Sequence, residues 1–226
     1  MAADGLDAIL FSVGLTLRIT IVATCISTIA GILLGYVMRA ARFPGASLVD
    51  AILTLPMVLP PTVLGYYLIV LLGRNGWAGS LLYHWFDFSI LFTVEGAIVA
   101  ATVVSYPLVY RAARGAFESL PPEYEETAAS LGHGPISTFI RVSLPLAWKG
   151  ILAGMMLAFA RSIGEFGATL MVAGNIPGKT RTLSLAIYSA VEAGNDGLAL
   201  LLVLSASVLC VTILVFARQF FDRSFL

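Results

Sequence analysis

The chain has 226 residues, of which 59% are hydrophobic and 12% are charged, and its formal net charge is zero. An average soluble domain has roughly twice that charged fraction, so a soluble protein of this length would lack the polar surface to cover its core. A zero net charge also gives no electrostatic reason to expect a nucleic-acid partner. The composition therefore predicts an all-α integral membrane protein, with lipid around its apolar surface.

Apolar stretches of about 20 residues, long enough to cross a bilayer, recur along the sequence. We predict a bundle of five transmembrane helices in one domain covering residues 1–226, at about 12–38, 51–73, 93–117, 143–172 and 197–221. Six spans are the alternative if the short apolar segment 182–193, or the N-terminal residues, extend further. The N-terminus carries Asp4 and Asp7 and no Lys or Arg, unlike a signal peptide, so we expect the first span to be retained.

Lys and Arg residues flank the predicted spans unevenly, and this bias indicates their orientation. With five spans, one side of the membrane holds Arg39, Arg42, Arg111, Arg114, Arg141, Lys149, Arg218 and Arg223. The other side holds Arg74, Lys179 and Arg181. We therefore expect the loop at about 118–142 and the C-terminus in the cytoplasm, and the N-terminus outside.

Prolines interrupt the second predicted span. Pro56, Pro60 and Pro61 each lack a backbone N–H, and carbonyls freed inside a membrane need protein or water as partners. One interpretation is that these prolines and Thr62 line or gate a path across the membrane; the other is a kinked helix that only packs. In the first span, the stretch Gly31–Gly35 has the spacing of a close helix contact, either between two copies of the chain or within one.

The longest predicted cytoplasmic connection, residues 118–142, has the features of a short helix held at both ends. The dipeptide Pro121-Pro122 suits a helix start, the glutamates that follow suit a first turn, and Gly132 suits a C-terminal cap. A second helix is predicted to begin at Pro135 and to continue into the fourth span. The small residues Thr127–Ala129 would let the surface of another protein approach closely.

Two ionisable residues lie within the predicted fourth span. Arg161 and Glu165 are four residues apart, so on one continuous helix they would share a face and could pair. An ionisable group at membrane depth costs at least ~2.5–3.5 kcal/mol and usually faces the bundle interior or water. The two side chains either neutralise each other and lock this helix to its neighbours, or Arg161 lends positive potential to an anion path.

The cytoplasmic segment has a spacing that resembles the coupling loop of ABC importer permeases. The family pattern is Glu-Ala-Ala, three residues, Gly, nine residues, Ile, one residue and Leu-Pro. The matching residues here, with the adjacent Ala129, are Glu126, Thr127, Ala128, Gly132, Val142, Leu144 and Pro145. Thr127 replaces an alanine and Val142 replaces the isoleucine. The resemblance implies a type I ABC importer-like bundle whose short cytoplasmic helix docks on a separate ATPase subunit.

Three stretches resemble molybdate permeases in particular: Leu55–Tyr66, Phe159–Ala168 and Asn175–Thr182. Because sulfate and thiosulfate permeases share part of the second stretch, the resemblance implies molybdate as the cargo, with tungstate, sulfate or thiosulfate as alternatives. It also implies a homodimer in the inner membrane of a prokaryotic cell, surrounded by lipid. Two cytoplasmic ABC ATPase subunits would carry ATP and Mg²⁺, and an external molybdate-binding protein would deliver the ion.

The segment Ala173–Thr180 loosely fits a phosphate-binding loop. A working loop of this kind follows a strand and opens a helix, whereas this segment follows a predicted span, contains Pro177 and is expected outside. We therefore predict that the chain has no catalytic, cofactor-binding or metal-binding residue and is not an enzyme. A stand-alone secondary transporter is an alternative of another class, but it would need ion-coupling sites within the spans and would have no use for the Glu126–Pro145 spacing.

Overall fold

The computed structural model describes residues 2–41 and 43–224, and within these residues the regular structure is helical, with no strand. The helices are α1 (Ala2–Met38), α2 (Ala46–Val58), α3 (Pro61–Leu72), α4 (Trp77–Phe86), α5 (Val94–Glu118), α6 (Glu123–Ser130), α7 (Pro135–Thr138), α8 (Leu144–Ile163), α9 (Gly167–Ala173), α10 (Leu183–Glu192) and α11 (Asp196–Ser224). A π-helical turn, Phe139–Ser143, joins α7 to α8. The predicted all-α class is confirmed.

Four helical segments are apolar and long enough to cross a membrane: Asp7–Met38, Val94–Glu118, Pro135–Ile163 and Asp196–Ile213. The helices α2 and α3 form a further candidate as a pair, with a bend of 114° between them. The helix α10 is apolar but has only 10 residues, too few to cross about 30 Å of hydrocarbon. Residues 2–41 and 43–224 therefore contain four candidate spans by length and composition, or five if the bent pair counts as one.

The second predicted span, residues 51–73, is not one continuous helix. Its break lies at Leu59 and Pro60, between α2 and α3. Leu59 has an extended backbone, with φ −69° and ψ 142°, which is the conformation favoured before a proline. Pro61 then opens α3, where a missing N–H costs no helical hydrogen bond. Pro56, by contrast, remains inside α2.

The fourth predicted span, residues 143–172, is also divided. The helix α8 ends at Ile163, and α9 begins after three non-helical residues. A carboxylate oxygen of Glu165 accepts a hydrogen bond of 2.8 Å from the backbone N–H of Ala168, which satisfies a free donor at the start of α9. Because Glu165 lies beyond the end of α8, the inference that Arg161 and Glu165 share the face of one helix is wrong.

The helices form two compact units. The first unit comprises Met1–Thr20, Gly65–Ala100 and Ile163–Leu226, and the second comprises Ile21–Leu64 and Ala101–Ser162. Buried residues of α10 and α11 form an apolar core in the first unit: Leu183, Ala186, Ala190, Ala199 and Leu202. The four helices α1, α3, α5 and α8 each contribute residues to both units.

In the second unit, α1 approaches the backbone of α5 through two glycines. A Cβ atom added to Gly31 would lie 2.7 Å from the Cβ of Val109, and one added to Gly35 would lie 2.9 Å from the backbone nitrogen of Arg114. Only residues without a side chain allow this approach. The small-residue spacing in the first span therefore serves a contact within one chain, which the sequence alone left undecided.

A second glycine pair brings α8 equally close to another face of α5. A Cβ atom at Gly150 would lie 2.6 Å from the Cβ of Ala116, and one at Gly154 would lie 2.5 Å from the Cβ of Ala112. Apolar side chains gain little by leaving lipid, so membrane helices associate largely through such close van der Waals contact. Glycines facing alanines thus hold α5 and α8 together.

We expect Gly154→Ala to lower the free energy of unfolding by about 1–3 kcal/mol, because the added methyl group overpacks the contact between α8 and α5. Thermal unfolding of the detergent-purified protein measures the change. Gly115→Ala is the matched control, since its Cβ atom would meet no atom within 4 Å and alanine favours a helix over glycine by about 0.5–1 kcal/mol. Equal stability of the two variants would contradict the packing.

Candidate functional site

The short helix α6 begins after a proline and ends at a glycine. Pro122 precedes its first residue, Glu123, and the acidic first turn interacts favourably with the helix dipole. Gly132 has a left-handed φ of 83°, and the N–H of His133 donates to the carbonyl of Ala128 at 3.0 Å. This pattern is a glycine cap that satisfies a free carbonyl at the helix end, in agreement with the sequence-based prediction.

Glu125 ties α6 to α1 and to the turn before α8. Its two carboxylate oxygens accept hydrogen bonds from Arg39, 2.6 Å from Nη1 and 2.7 Å from Nη2, so the ion pair is bidentate. The side chains of Arg39 and Glu125 are only 17% and 28% exposed. The hydroxyl of Ser143, in the π-helical turn, donates to the same carboxylate at 2.5 Å. One acidic side chain thus joins three elements.

Aromatic rings support the guanidinium of Arg39. Its Cζ lies 4.0 Å from the ring centroid of Tyr36, within the range of a cation–π contact. The Tyr36 ring in turn packs against Phe117 and Phe139, at centroid distances of 5.3 Å and 4.4 Å. Behind these rings lies a buried cluster formed by Ala113, Phe117, Ala147 and Ile151. The ion pair therefore rests on a packed apolar base.

The ion pair shifts the pKa values of both partners. Hydrogen bonds from Arg39 lower the pKa of the Glu125 carboxyl, and the Ser143 hydroxyl adds to this effect while burial opposes it. The hydrogen bond to Glu125 raises the pKa of Arg39 further above its ordinary value, again against the effect of burial. Both side chains are therefore charged at neutral pH.

A second ionic cluster fastens α2 to α5. One carboxylate oxygen of Asp50 accepts hydrogen bonds of 2.5 Å from the hydroxyl of Tyr110 and from Nη1 of Arg114. Further along α2, the carbonyl of Leu53 accepts a hydrogen bond from the hydroxyl of Tyr106. These contacts hold the first helix of the bent pair in place, since they reach α2 at two positions, Asp50 and Leu53.

Exposed apolar side chains lie on α6, directly after it and on α7. Tyr124, Leu131 and Ile136 are 51%, 74% and 76% exposed, and Glu126 and Thr127 are exposed beside them. We call these five residues the coupling surface. Tyr124 and Leu131 lie outside the candidate spans, where lipid would not cover them, and Ile136 is the second residue of the candidate span Pro135–Ile163. Grouped apolar side chains exposed to water mark a protein contact.

The residues of the predicted coupling motif all lie in the second unit. In α6, Ala128 is buried, whereas Ala129 is exposed like its neighbours Glu126 and Thr127. Val142 lies in the π-helical turn, and Leu144 and Pro145 lie in the first turn of α8. Leu144 packs against the buried cluster behind the ion pair. The motif thus contains exposed residues of α6 and also a residue, Leu144, that packs against the buried cluster beneath this helix.

Sequence reasoning missed Arg39, Glu125 and Ser143 as parts of this site. The sequence analysis used Arg39 only to predict the orientation of the spans. It used Glu125 only as one of several acidic residues in the first turn of a predicted helix. The two residues are 86 positions apart, and no local pattern joins them. The signal that existed was an arginine at the end of one span and an acidic helix on the same predicted side of the membrane.

The candidate path residues lie at or near the helix breaks, except Pro56, which is inside α2. Pro60 lies in the break before α3, and Thr62 is exposed in the first turn of α3. Arg161 lies half-buried in the last turn of α8, within the second unit. Glu165 is 3% exposed and belongs to the first unit. A role of these residues in translocation stays a prediction.

We expect the Arg39–Glu125 ion pair to make the stability fall in acid. Because the folded-state pKa of Glu125 is lowered, its stabilisation is complete above the ordinary carboxylate pKa of about 4.3. It is then lost as the pH falls through the lower folded-state value. Thermal unfolding across this pH range measures the loss.

The variant Glu125→Gln should abolish this part of the acid dependence and lower the free energy of unfolding at neutral pH by about 1–3 kcal/mol, because Arg39 loses its charged partner. The matched control is Glu123→Gln, which changes an exposed acid two positions earlier. A similar loss of stability in both variants would mean that the ion pair does not anchor α6.

Comparisons with known proteins agree with this architecture. Residues 27–225 match the family described as "Binding-protein-dependent transport system inner membrane component". The chain is 41% identical over 203 residues to the molybdenum transport system permease protein ModB of Escherichia coli, and the match covers 89% of each chain. It is 40% identical over 173 residues to the sulfate transport system permease protein CysT of Escherichia coli, covering 76% of this chain and 62% of that one.

Among solved structures, the methionine ABC transporter MetNI in its inward-facing conformations is similar, with a TM-score of 0.75 and 20% sequence identity. The similarity covers 97% of each chain, and at this identity it shows the fold alone. The sequence match, however, extends over most of the chain. The chain therefore belongs to the family of inner membrane components of binding-protein-dependent transport systems.

Proposed function

We propose that this chain is the permease subunit that carries molybdate across the inner membrane. The supporting observation is the 41% identity to a molybdenum permease, which extends over 89% of both chains. As an inner membrane component of its family, the chain works with separate ATPase subunits and a binding protein. ATP and Mg²⁺ would belong to the ATPase subunits, and the binding protein would deliver molybdate from outside.

We further propose that two copies of the chain surround the translocation path and that each coupling surface receives one ATPase subunit. The bias of Lys and Arg supports an orientation with α6 in the cytoplasm and the N-terminus outside. The exposed Tyr124, Leu131 and Ile136 suit burial against a protein partner. The adjacent exposed Glu126 would add a polar contact that sets the docking position.

The anchoring of α6 supports a mechanical role in this proposal. A force on the coupling surface would reach α1 through Arg39 and the start of α8 through Ser143, since both donate to the Glu125 carboxylate. A displacement of α6 would therefore move two spans together. Rigid-body motion of this kind is a common way to change which side of a membrane protein is open.

We propose that the path runs past the break between α2 and α3, where Pro60, Pro61 and Thr62 lie, and past Pro56 within α2 and Arg161 in the last turn of α8. Carbonyls without helical partners at a break, and the positive charge of Arg161, suit weak transient contacts with a dianion.

Sulfate is the second candidate cargo, because it is also a tetrahedral dianion and a sulfate permease is 40% identical to this chain. The match covers 62% of that sulfate permease but 89% of the molybdenum permease. Molybdate is therefore favoured. Tungstate has the same charge and shape as molybdate and would share its path.

The cargo is tested in proteoliposomes that contain the chain with its ATPase subunit and binding protein. We expect ATP-dependent uptake of radiolabelled molybdate. An excess of unlabelled tungstate should abolish this uptake, whereas the same concentration of sulfate should reduce it only slightly. Because the binding protein also contributes to selectivity, a matched control replaces it with a sulfate-binding protein. In this control the uptake rates of sulfate and molybdate through the chain are compared. Uptake of sulfate at a rate equal to or above that of molybdate would contradict the proposal.

The coupling surface is tested by reversing one exposed charge. We expect Glu126→Arg to reduce coupled transport about tenfold or more, the size of effect typical for a central interface residue. Membrane insertion of the chain and hydrolysis by the free ATPase subunit should not change. The control Glu192→Arg makes the same charge change at an exposed residue of α10, in the first unit. Parental uptake in Glu126→Arg, or an equal loss in both variants, would count against docking at this surface.

A further inference from the structure

A cavity of about 200 Å³ lies in the first unit between α1, α10 and α11. Ile9 of α1, Ala190 of α10 and the two leucines Leu198 and Leu202 of α11 give it apolar walls. Polar side chains from the same helices and from the loop before α10 complete the lining. An apolar pocket with a few polar groups is the usual form of a site for a small or elongated ligand.

The charged residue of the lining is Arg181, which is half-buried. Its Nε donates a hydrogen bond of 2.8 Å to the side-chain oxygen of Asn175, and the amide nitrogen of Asn175 donates to the hydroxyl of Ser189 at 2.6 Å. These bonds fix the orientation of the guanidinium. Within residues 2–41 and 43–224, no contact of the two Nη groups with an acceptor is observed, so they remain available to a ligand.

The cavity lies at one end of two membrane spans. The span in α1 begins at Asp7 and the span in α11 begins at Asp196, and the lining residues Ile9 and Leu198 lie within the first turn of each. This depth is the level of lipid headgroups. Leu202 is one turn further along α11, so it lies deeper in the hydrocarbon than Leu198. The site therefore combines a cation at headgroup level with apolar walls that continue into the membrane.

The apolar surface also continues beyond the cavity. The face of α11 that carries Leu198 and Leu202 continues along the span with Ala206 and Leu209, which are partly buried. An acyl chain could therefore leave the cavity without meeting water. A free inorganic anion would use the guanidinium but would leave the apolar walls without a partner.

We propose that this cavity binds a phospholipid, with its phosphate on the guanidinium of Arg181 and the upper part of one acyl chain against Leu198 and Leu202. Guanidinium groups recognise phosphate through paired, charge-assisted hydrogen bonds. The bound lipid would join the start of α1 to α10 and α11, and so would stabilise the first unit. Nothing in this site depends on which ion is transported.

The experiment uses the full chain in its transporter complex, purified in detergent and stripped of lipid. Dioleoylphosphatidylglycerol is then titrated, and bound lipid is counted by native mass spectrometry while the melting temperature is followed. We expect the lipid to bind the parental protein and to raise its melting temperature. Arg181→Gln should weaken this binding about tenfold, because a charged hydrogen-bond partner is lost.

Two further variants separate charge from shape. Lys179→Gln removes an exposed positive charge from the same loop, outside the cavity, and should bind lipid like the parental protein. Ala193→Phe keeps the charge but places a ring in the cavity lining, and should weaken lipid binding. If Arg181→Gln does not assemble, two other variants carry the test. Ala193→Phe should weaken the binding, and Arg181→Lys, which keeps the charge but loses the paired donors of the guanidinium, should weaken it severalfold.

Lipid binding by Arg181→Gln and Ala193→Phe at the parental affinity would overturn the proposal. So would a weakening by Lys179→Gln equal to that by Arg181→Gln, since a general surface charge would then explain the binding. Inorganic phosphate and molybdate are tested in parallel arms. If either displaces the lipid, or raises the melting temperature as much as the lipid does in an Arg181-dependent way, the cavity is a site for free anions and the lipid assignment is wrong.

Discussion

The close approach of α1 and α8 to α5 is the contact on which the second unit depends. Lipid is as apolar as the helix surfaces, so burial of apolar side chains alone does not hold membrane helices together. Glycines at Gly31, Gly35, Gly150 and Gly154 instead bring backbones and small side chains into direct contact. A polar bond adds to this packing, since the hydroxyls of Ser27 and Ser105 lie 2.9 Å apart between α1 and α5.

At the end of these packed helices, a charged pair connects α6 to its neighbours. The Arg39–Glu125 pair is held by a ring of Tyr36 on one side and by Ser143 on the other. A bidentate ion pair in such a fixed environment loses little side-chain freedom when it forms, unlike a pair of mobile surface residues. The helix α6 is therefore anchored through Glu125, while residues on its other side are exposed.

The coupling segment was largely predictable because its signals are local. The proline start, the acidic first turn and the Gly132 cap of α6 act within a few residues, and the spacing from Glu126 to Pro145 resembles a known family. The helix breaks were not predictable from apolar content. Leu59 and Pro60 divide one apolar run, and the residues after Ile163 divide another that contains no proline near its break. Mean hydropathy does not detect such changes, because it is blind to backbone geometry.

The sequence by itself determined the membrane class, the approximate spans, the resemblance to importer permeases and the position of the coupling motif. These follow from composition and from patterns of neighbouring residues. The tertiary structure decided which residues support that motif and what the glycine spacing serves. Arg39 meets Glu125, and Gly154 meets Ala112, only because α1, α6 and α8 converge with α5. Contacts between residues so far apart in the chain depend on helix packing, which no local pattern encodes.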